Sequence, residues 1–241
     1  MKKVLVVLMA AAMVLSMAAC SENTTKKSEG VMTYAQYAAA PVESEVTVEC
    51  YVQDHQSWWE DKITVYAMDG DGGYFLYNMA CSEADAAKLV PGTKIKVKGY
   101  KAEWSGEVEI IDATFEIEKG KYIAAAKDVT SAYGTDKFMD YANQFIALKG
   151  LKVEASKDAD GKDVAFLYNW DGSGEPGSDL YFNVSLNGTT YTFTVESYLR
   201  GKDTDVYKAV EGLNVGDTID LEGFLYAYNG PQAHVTKVTK K

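Results

Sequence analysis

Residues 91–110, PGTKIKVKGYKAEWSGEVEI, and residues 215–234, VGDTIDLEGFLYAYNGPQAH, align without a gap at an offset of 124. Gly92, Gly99 and Gly106 fall on Gly216, Gly223 and Gly230, while Ile95, Val97, Tyr100 and Trp104 fall on Ile219, Leu221, Phe224 and Tyr228. Glycine recurs where a backbone must turn sharply or approach another chain closely, and alternating apolar residues mark a strand with one buried face. Three glycines and four apolar or aromatic positions in register therefore read as an internal duplication, which decides the fold before any single element does.

The flanking segments repeat one order of elements. In the first copy, alternation of Val46, Val48, Cys50 and Val52 predicts a half-buried strand, and Ile63, Val65 and Ala67 a second. A glycine-rich turn leads to a third at Tyr74 to Met79. Ser82 with Asp85 caps a short helix that stops at Pro91-Gly92, and strands Thr93 to Tyr100 and Glu107 to Ile117 close the unit. In the second copy, Leu148 to Val153 is strand one, and Leu180 to Leu186 joins Thr189 to Val195 through the hairpin signal Asn187-Gly188. Thr204 can cap a helix running to Leu213, before strands Thr218 to Phe224 and Ala233 to Val238. A β-β-β-α-β-β order is that of the OB-fold, a five-stranded Greek-key barrel whose strand two and three face and flanking loops bind oligonucleotides and oligosaccharides. The expected fold class is all-β with short helices: two tandem OB-fold-like barrels, over residues 31–120 and 121–241. Strand one lies 42 positions before Gly92 in the first copy and 66 before Gly216 in the second, so about 24 extra residues fall in the strand one-two loop, Glu154 to Asp179.

The chain begins MKKVLVVLMAAAMVLSMAAC, with Lys2 and Lys3 ahead of an apolar run from Val4 to Ala19. This is the layout of a signal peptide, and the run is shorter than a membrane span requires. Met17-Ala18-Ala19-Cys20 resembles the bacterial lipobox, with Met where Leu is commonest. The resemblance implies cleavage after residue 19, acylation of Cys20 and attachment to the outer face of the cell membrane. Residues 20–30 then read as a polar tether. With the tandem element order, the chain resembles exported bacterial lipoproteins carrying tandem OB-fold-like domains.

Composition narrows the partners. The 241 residues carry 24 Lys+Arg against 35 Asp+Glu, a net charge of −11, and 47% are hydrophobic. That supports a real core and excludes a disordered chain, a collagen-like repeat and a disulfide-stapled miniprotein. The acidic balance opposes a broad phosphate-binding footprint. Lys94, Lys96 and Lys98 form a basic stripe on strand four, whereas the second copy has Asp220 and Glu222 at the positions matching Lys96 and Lys98. The stripe reads as a solvated edge that discourages strand pairing or as a contact for an anionic polymer, and the opposite charges as a basis for docking of the two copies. Cys50 and Cys81 read as buried free thiols, with a disulfide as the alternative.

The candidate ligand surface is aromatic. Trp58 and Trp59 lie in the strand one-two loop of the first copy, Trp104 lies beside its strand four-five turn, and Tyr66 points outward from its sheet. Tyr77 joins them, its orientation undecided by the pattern. The alternative reading of the tryptophans is end-capping core. A secondary set in the second copy comprises Trp170, Tyr181 and Tyr228. No nucleophile system suggests itself from two histidines, His55 and His234. Gly172 to Gly177 fits a dinucleotide fingerprint but precedes a strand, not a helix. Asp158, Asp160 and Asp163 have the spacing of a short Ca²⁺ loop without its distal Glu. The reading that follows is a lipid-anchored, non-catalytic binding protein without cofactor, its ligand an oligosaccharide or envelope protein held by the aromatic rim of the first barrel. The alternatives are single-stranded nucleic-acid binding and a carboxylate-dependent hydrolase.

Overall fold

The computed structural model describes residues 24–241, so the stretch read as a signal peptide and Cys20 lie outside the described residues. In the first barrel, β1 (Glu45–His55), β2 (Lys62–Met68), β3 (Gly73–Ala80), β4 (Thr93–Trp104) and β5 (Glu107–Lys121) form a closed ring in the order β1-β2-β3-β5-β4. The ring closes through antiparallel β1–β4 pairing and a short parallel β3–β5 contact at Phe75 and Glu109. In the second barrel, β6 (Phe145–Glu154), β7 (Leu180–Leu186), β8 (Thr189–Val195), β9 (Thr218–Ala227) and β10 (Pro231–Lys240) repeat it. Here β7 pairs with both β8 and β6, β10 lies between β8 and β9, and β9 returns to β6. The parallel closure recurs at Thr194 and His234. The chain is therefore mostly β, with two closed five-stranded barrels of OB-like topology and few short helices.

The repeated glycines have one physical cause in both copies. Gly92 and Gly216 enter strand four at φ +94° and +92°, a region that only glycine occupies freely. At Gly99 and Gly223 the β4–β5 and β9–β10 registers slip, and a Cβ would run into the Ile111 or His234 carbonyl of the neighbouring strand. Side chains of Val48, Val65, Leu76, Ile95 and Val97 fill the first barrel, and those of Leu148, Val153, Phe182, Phe193 and Ile219 the second.

Between strands three and four, α2 (Glu83–Ala86) follows the Ser82 cap, and α3 (Asp205–Glu211) follows Thr204, which makes no side-chain cap bond. A helix not anticipated from the pattern, α1 (Tyr34–Ala39), precedes the first barrel, opened by a Thr33–Gln36 capping box. Its buried Tyr37 packs on Tyr74, and Lys101 donates to the carbonyls of Tyr37, Ala38 and Ala40, placing a cation at the helix C-terminus. Residues 24–30 differ from the tether expected of them. The Lys27 side chain is buried in a 2.6 Å ion pair with Asp69 and donates to the Glu49 carbonyl, so the stretch is pinned to the barrel at this residue while residues 25, 26 and 28–30 are exposed. Among the described residues no helix is long and apolar enough to cross a membrane.

The barrels meet along an aromatic seam. Tyr66, Phe75, Leu199, Phe224 and Tyr226 are buried together, with Phe145 against them, and Tyr66 stacks on Phe224 at 4.6 Å. Polar contacts frame the seam: Tyr66 Oη and His234 Nδ1 lie 2.6 Å apart, Ala227 N–H donates to Glu107, Asn143 donates to the Val108 carbonyl, and Arg200 pairs with Asp54. Strand-four charge is not what joins the copies. Lys94 bridges Glu49 and Glu118, Lys98 pairs with Glu45, and Glu222 pairs with Lys237, each within its own barrel. Nor is the lysine stripe a free edge, since β4 is paired on both sides.

Candidate functional site

Two clefts are lined by residues of both barrels. The first, of about 660 Å³, is built on the strand two and three face of the second barrel. Tyr181 comes from β7 and Thr192 from β8, with Tyr226 on β9 and Gln232 and His234 on β10. Tyr228 stands in the β9–β10 turn, Trp170 in the long β6–β7 loop, and Trp104 is the last residue of β4 in the first barrel.

The geometry is set locally. The two four-five turns touch, with Asn229 N–H donating to the Ser105 carbonyl at 2.7 Å, and this brings Trp104 to 5.3 Å from Tyr228, the ring that the duplication matches to it. Trp170 is carried on a pinned loop. Asn169 N–H donates to the Asp179 carbonyl, Gly174 N–H to the Tyr168 carbonyl, and the Tyr207 hydroxyl accepts from Gly177 N–H and donates to the Ser178 carbonyl. The extra residues are thus a built excursion that also adds Leu167–Tyr168 to the edge of β7. Trp170, Trp104 and Tyr228 remain 75%, 54% and 47% exposed. Exposed large rings on a concave face cost hydration free energy that a ligand would recover.

The floor is polar but uncharged. His234 is buried, stacks on Tyr226 at 4.2 Å, and its pKa is lowered to about 3 by desolvation, so the imidazole is neutral over the ordinary pH range. Thr192 and Gln232 supply the other polar groups, and no Lys or Arg lines the cleft.

The second cleft, of about 470 Å³, lies at the corresponding face of the first barrel. Trp59, Tyr77 and Asn78 meet Glu196 and Tyr198 from the second barrel, the segment whose Tyr198 carbonyl accepts from Ser57 N–H. Burial, and then the neighbouring Asp179, raise the Glu196 carboxyl to about 7.

The sequence-derived residues separate by role. Trp59, Tyr77 and Trp104 are exposed and cleft-lining, as are Trp170 and Tyr228, with the half-buried Tyr181 beside them. Trp58 is half-buried against the first core and donates Nε1–H to the Cys81 carbonyl at 2.8 Å, which is the end-capping role. Tyr66 leaves its barrel outward, yet the second barrel covers it to 2% exposure, so it is a seam residue and not a contact surface. Sequence reasoning missed Tyr198, Glu196 and Gln232, whose positions depend on packing between barrels.

The remaining candidates are accounted for by local bonding. Asp158 accepts from the N–H groups of Asp160 and Lys162, Asp163 pairs with Lys157, and no cluster of three or more metal-ligating side chains occurs among the described residues. Cys50 and Cys81 are free and buried, and desolvation raises both thiols, Cys81 to about 11. His55 Nδ1–H donates locally, to the Gln56 carbonyl at 2.7 Å.

No family model matches the chain, and no curated protein matches it. Similar solved structures include the tetrameric p202 HIN2, at 10% identity and a TM-score of 0.34, covering 83% of this chain and 97% of that one. A murine DNA-binding protein bound with double-stranded DNA is 11% identical at a TM-score of 0.36, covering 81% and 96%. The Ifi202 HINa domain in complex with 20 bp double-stranded DNA is 12% identical at 0.34, covering 83% and 96%. The strand pairing of the two barrels carries the fold assignment by itself.

Proposed function

We propose that this is an exported, lipid-anchored, non-catalytic binding protein whose ligand is an oligosaccharide held in the cleft of Trp104, Trp170, Tyr181 and Tyr228. The observation that carries the reading is the chemistry of that lining: exposed aromatic rings beside Thr192, Gln232 and a neutral His234, with no cation. Sugar rings offer apolar C–H faces for stacking and hydroxyl edges for neutral donors and acceptors. A nucleic-acid strand brings a phosphate with each base, and its affinity comes chiefly from Lys and Arg that release counterions. On β4, Lys94 is engaged by Glu49 and Glu118 and Lys98 by Glu45. The site thus belongs to the second barrel and borrows one tryptophan from the first, in place of the first-barrel rim expected from sequence.

Single-stranded nucleic acid is the second reading, because exposed rings on an OB-fold face stack on bases at about 1–3 kcal/mol each. Titration of the chain with neutral oligosaccharides and with oligothymidylate, followed by tryptophan fluorescence at low and physiological salt, separates the two. Saccharide affinity that is indifferent to salt and weakened in Trp170→Ala is the expected result. Oligothymidylate affinity that falls steeply with salt, without saccharide binding, would replace it. Anchoring is tested separately by labelled palmitate, which the wild-type chain incorporates and Cys20→Ser does not.

A further inference from the structure

We propose that the ligand site continues from the cleft of the second barrel across the seam into the cleft of the first, so that the ligand is a linear, uncharged polymer of several sugar rings. This rests on the oligosaccharide reading above and commits it to a length.

The first support is continuity of rings. Tyr77 lies in the first-barrel cleft, and Phe75, buried in the seam, stacks on it at 6.4 Å and meets Tyr226 at 5.3 Å; Tyr226 lines the second-barrel cleft and stacks on His234, so the two clefts lie on either side of one buried ring. Tyr226 thus has one neighbour from each cleft: Tyr77 and Tyr181 both lie close enough to contribute to the raised pKa of its hydroxyl, behind the larger effect of burial and the nearby Glu107 and Glu109. The second support is the docking of the barrels. The first barrel turns its strand two and three face toward the seam, and the second meets it with Phe145, Leu199, Phe224 and Tyr226, the last of which also lines the second-barrel cleft, so the open remainder of the first face borders the second site. The third is chemistry. Trp59 and Tyr198, 67% and 62% exposed, stand over the far cleft as Trp104 and Trp170 stand over the near one. The single cation there, Lys62, shares the lining with Glu60 and Glu196, which disfavours a polyanion.

Two weak clefts joined by one ligand act as linked sites, where the second contact is made at high effective concentration. The test uses cello- and chito-oligosaccharides of two to eight rings, titrated into the chain by calorimetry, with oligothymidylates as a parallel series. Affinity should climb with length and level off once both clefts are occupied. Trp59→Ala and Tyr198→Ala, both exposed and so neutral for folding, should lower long-oligomer affinity by about tenfold or more while leaving the shortest binding oligomer unchanged. Trp170→Ala should weaken every length. Saturation at two or three rings, with Trp59→Ala and Tyr198→Ala silent at all lengths and Trp170→Ala damaging, would overturn the extended site and leave the oligosaccharide reading standing. Absence of binding for every saccharide, or length-dependent binding of oligothymidylate alone, would overturn both.

Discussion

The same face serves opposite ends in the two barrels. In the first, outward residues of β2 and β3, Tyr66 and Phe75, are spent on the seam, and only the periphery with Trp59 and Tyr77 stays open. In the second, Tyr181 and Thr192 on β7 and β8 remain accessible, and an inserted loop brings Trp170 over them. A duplicated binding fold can therefore keep one face for a ligand while using its copy to fix that face in place. Once one copy docks, its aromatic residues are no longer evidence of binding, although they look the same in sequence.

Breaking the docked face should have the largest effect. Tyr66→Ala removes a fully buried ring from the seam and strands His234 without its 2.6 Å partner, so a loss of about 3–5 kcal/mol is expected from chemical denaturation. Loss of a single cooperative transition in that variant would show that the seam couples the barrels. No change in stability would mean that the barrels do not meet through Tyr66.

The seam should also respond to pH. Glu107 is buried with Ala227 N–H donating to it, and desolvation raises its pKa from 4.5 to about 8. The folded chain therefore holds a proton that the unfolded chain releases above pH 4.5. Its contribution is complete below that value and is lost as pH rises through 8. Glu196, raised to about 7, acts in the same direction, whereas His234, lowered to about 3, costs stability as pH falls below 6.5. Glu107→Gln keeps an acceptor for Ala227 without the proton dependence, so its stability should exceed the wild type's by on the order of 2 kcal/mol at pH 8 and converge with it near pH 5. Melting temperatures from pH 4.5 to 8.5 check this, and parallel curves would place the titration elsewhere.

What was legible in sequence follows from the range of the forces involved. The glycines at offset 124 report backbone requirements that are local to each copy, and they led to both barrels. Period-two alternation told which side of its own sheet Tyr66 leaves, but not that another barrel lies there. Trp58 and Trp59 are adjacent and chemically alike. They part because one indole N–H finds the Cys81 carbonyl at a barrel end, a contact over 23 residues that no local pattern encodes. The meeting of Trp104 with Tyr228 and Trp170 depends on how two folded units dock. The α1 helix was within reach, since Thr33 and Gln36 spell a capping box.

On the open face, effects should fall on binding and not on folding. Trp170 is 75% exposed, so Trp170→Ala should leave the melting temperature unchanged and cost about 1–3 kcal/mol of ligand affinity, taking the loss of one base–aromatic stack as the scale. Trp58→Ala should do the reverse, lowering stability through a lost core contact with affinity unchanged. If the two variants exchanged phenotypes, the division between docked and open faces would be wrong.

The smallest effect tests what the charges on strand four do. Lys98 and Glu222 occupy one duplicated position with opposite sign, and each has a partner of its own: Glu45 at 3.1 Å for Lys98, and Lys237 at 2.8 Å for Glu222. The sign has inverted between copies while the pairing has been kept, which is expected if the position is held to neutralise its barrel wall and not to attract a polymer. Exposed pairs of this kind contribute about 0–1 kcal/mol, so Lys98→Ala and Glu222→Ala should each shift stability by less than about 1 kcal/mol. Neither should alter ligand affinity or its dependence on salt. A weaker affinity in Lys98→Ala, with a salt slope lowered by about one, would instead identify a phosphate contact there and shift the site from the aromatic cleft of the second barrel to the wall of the first.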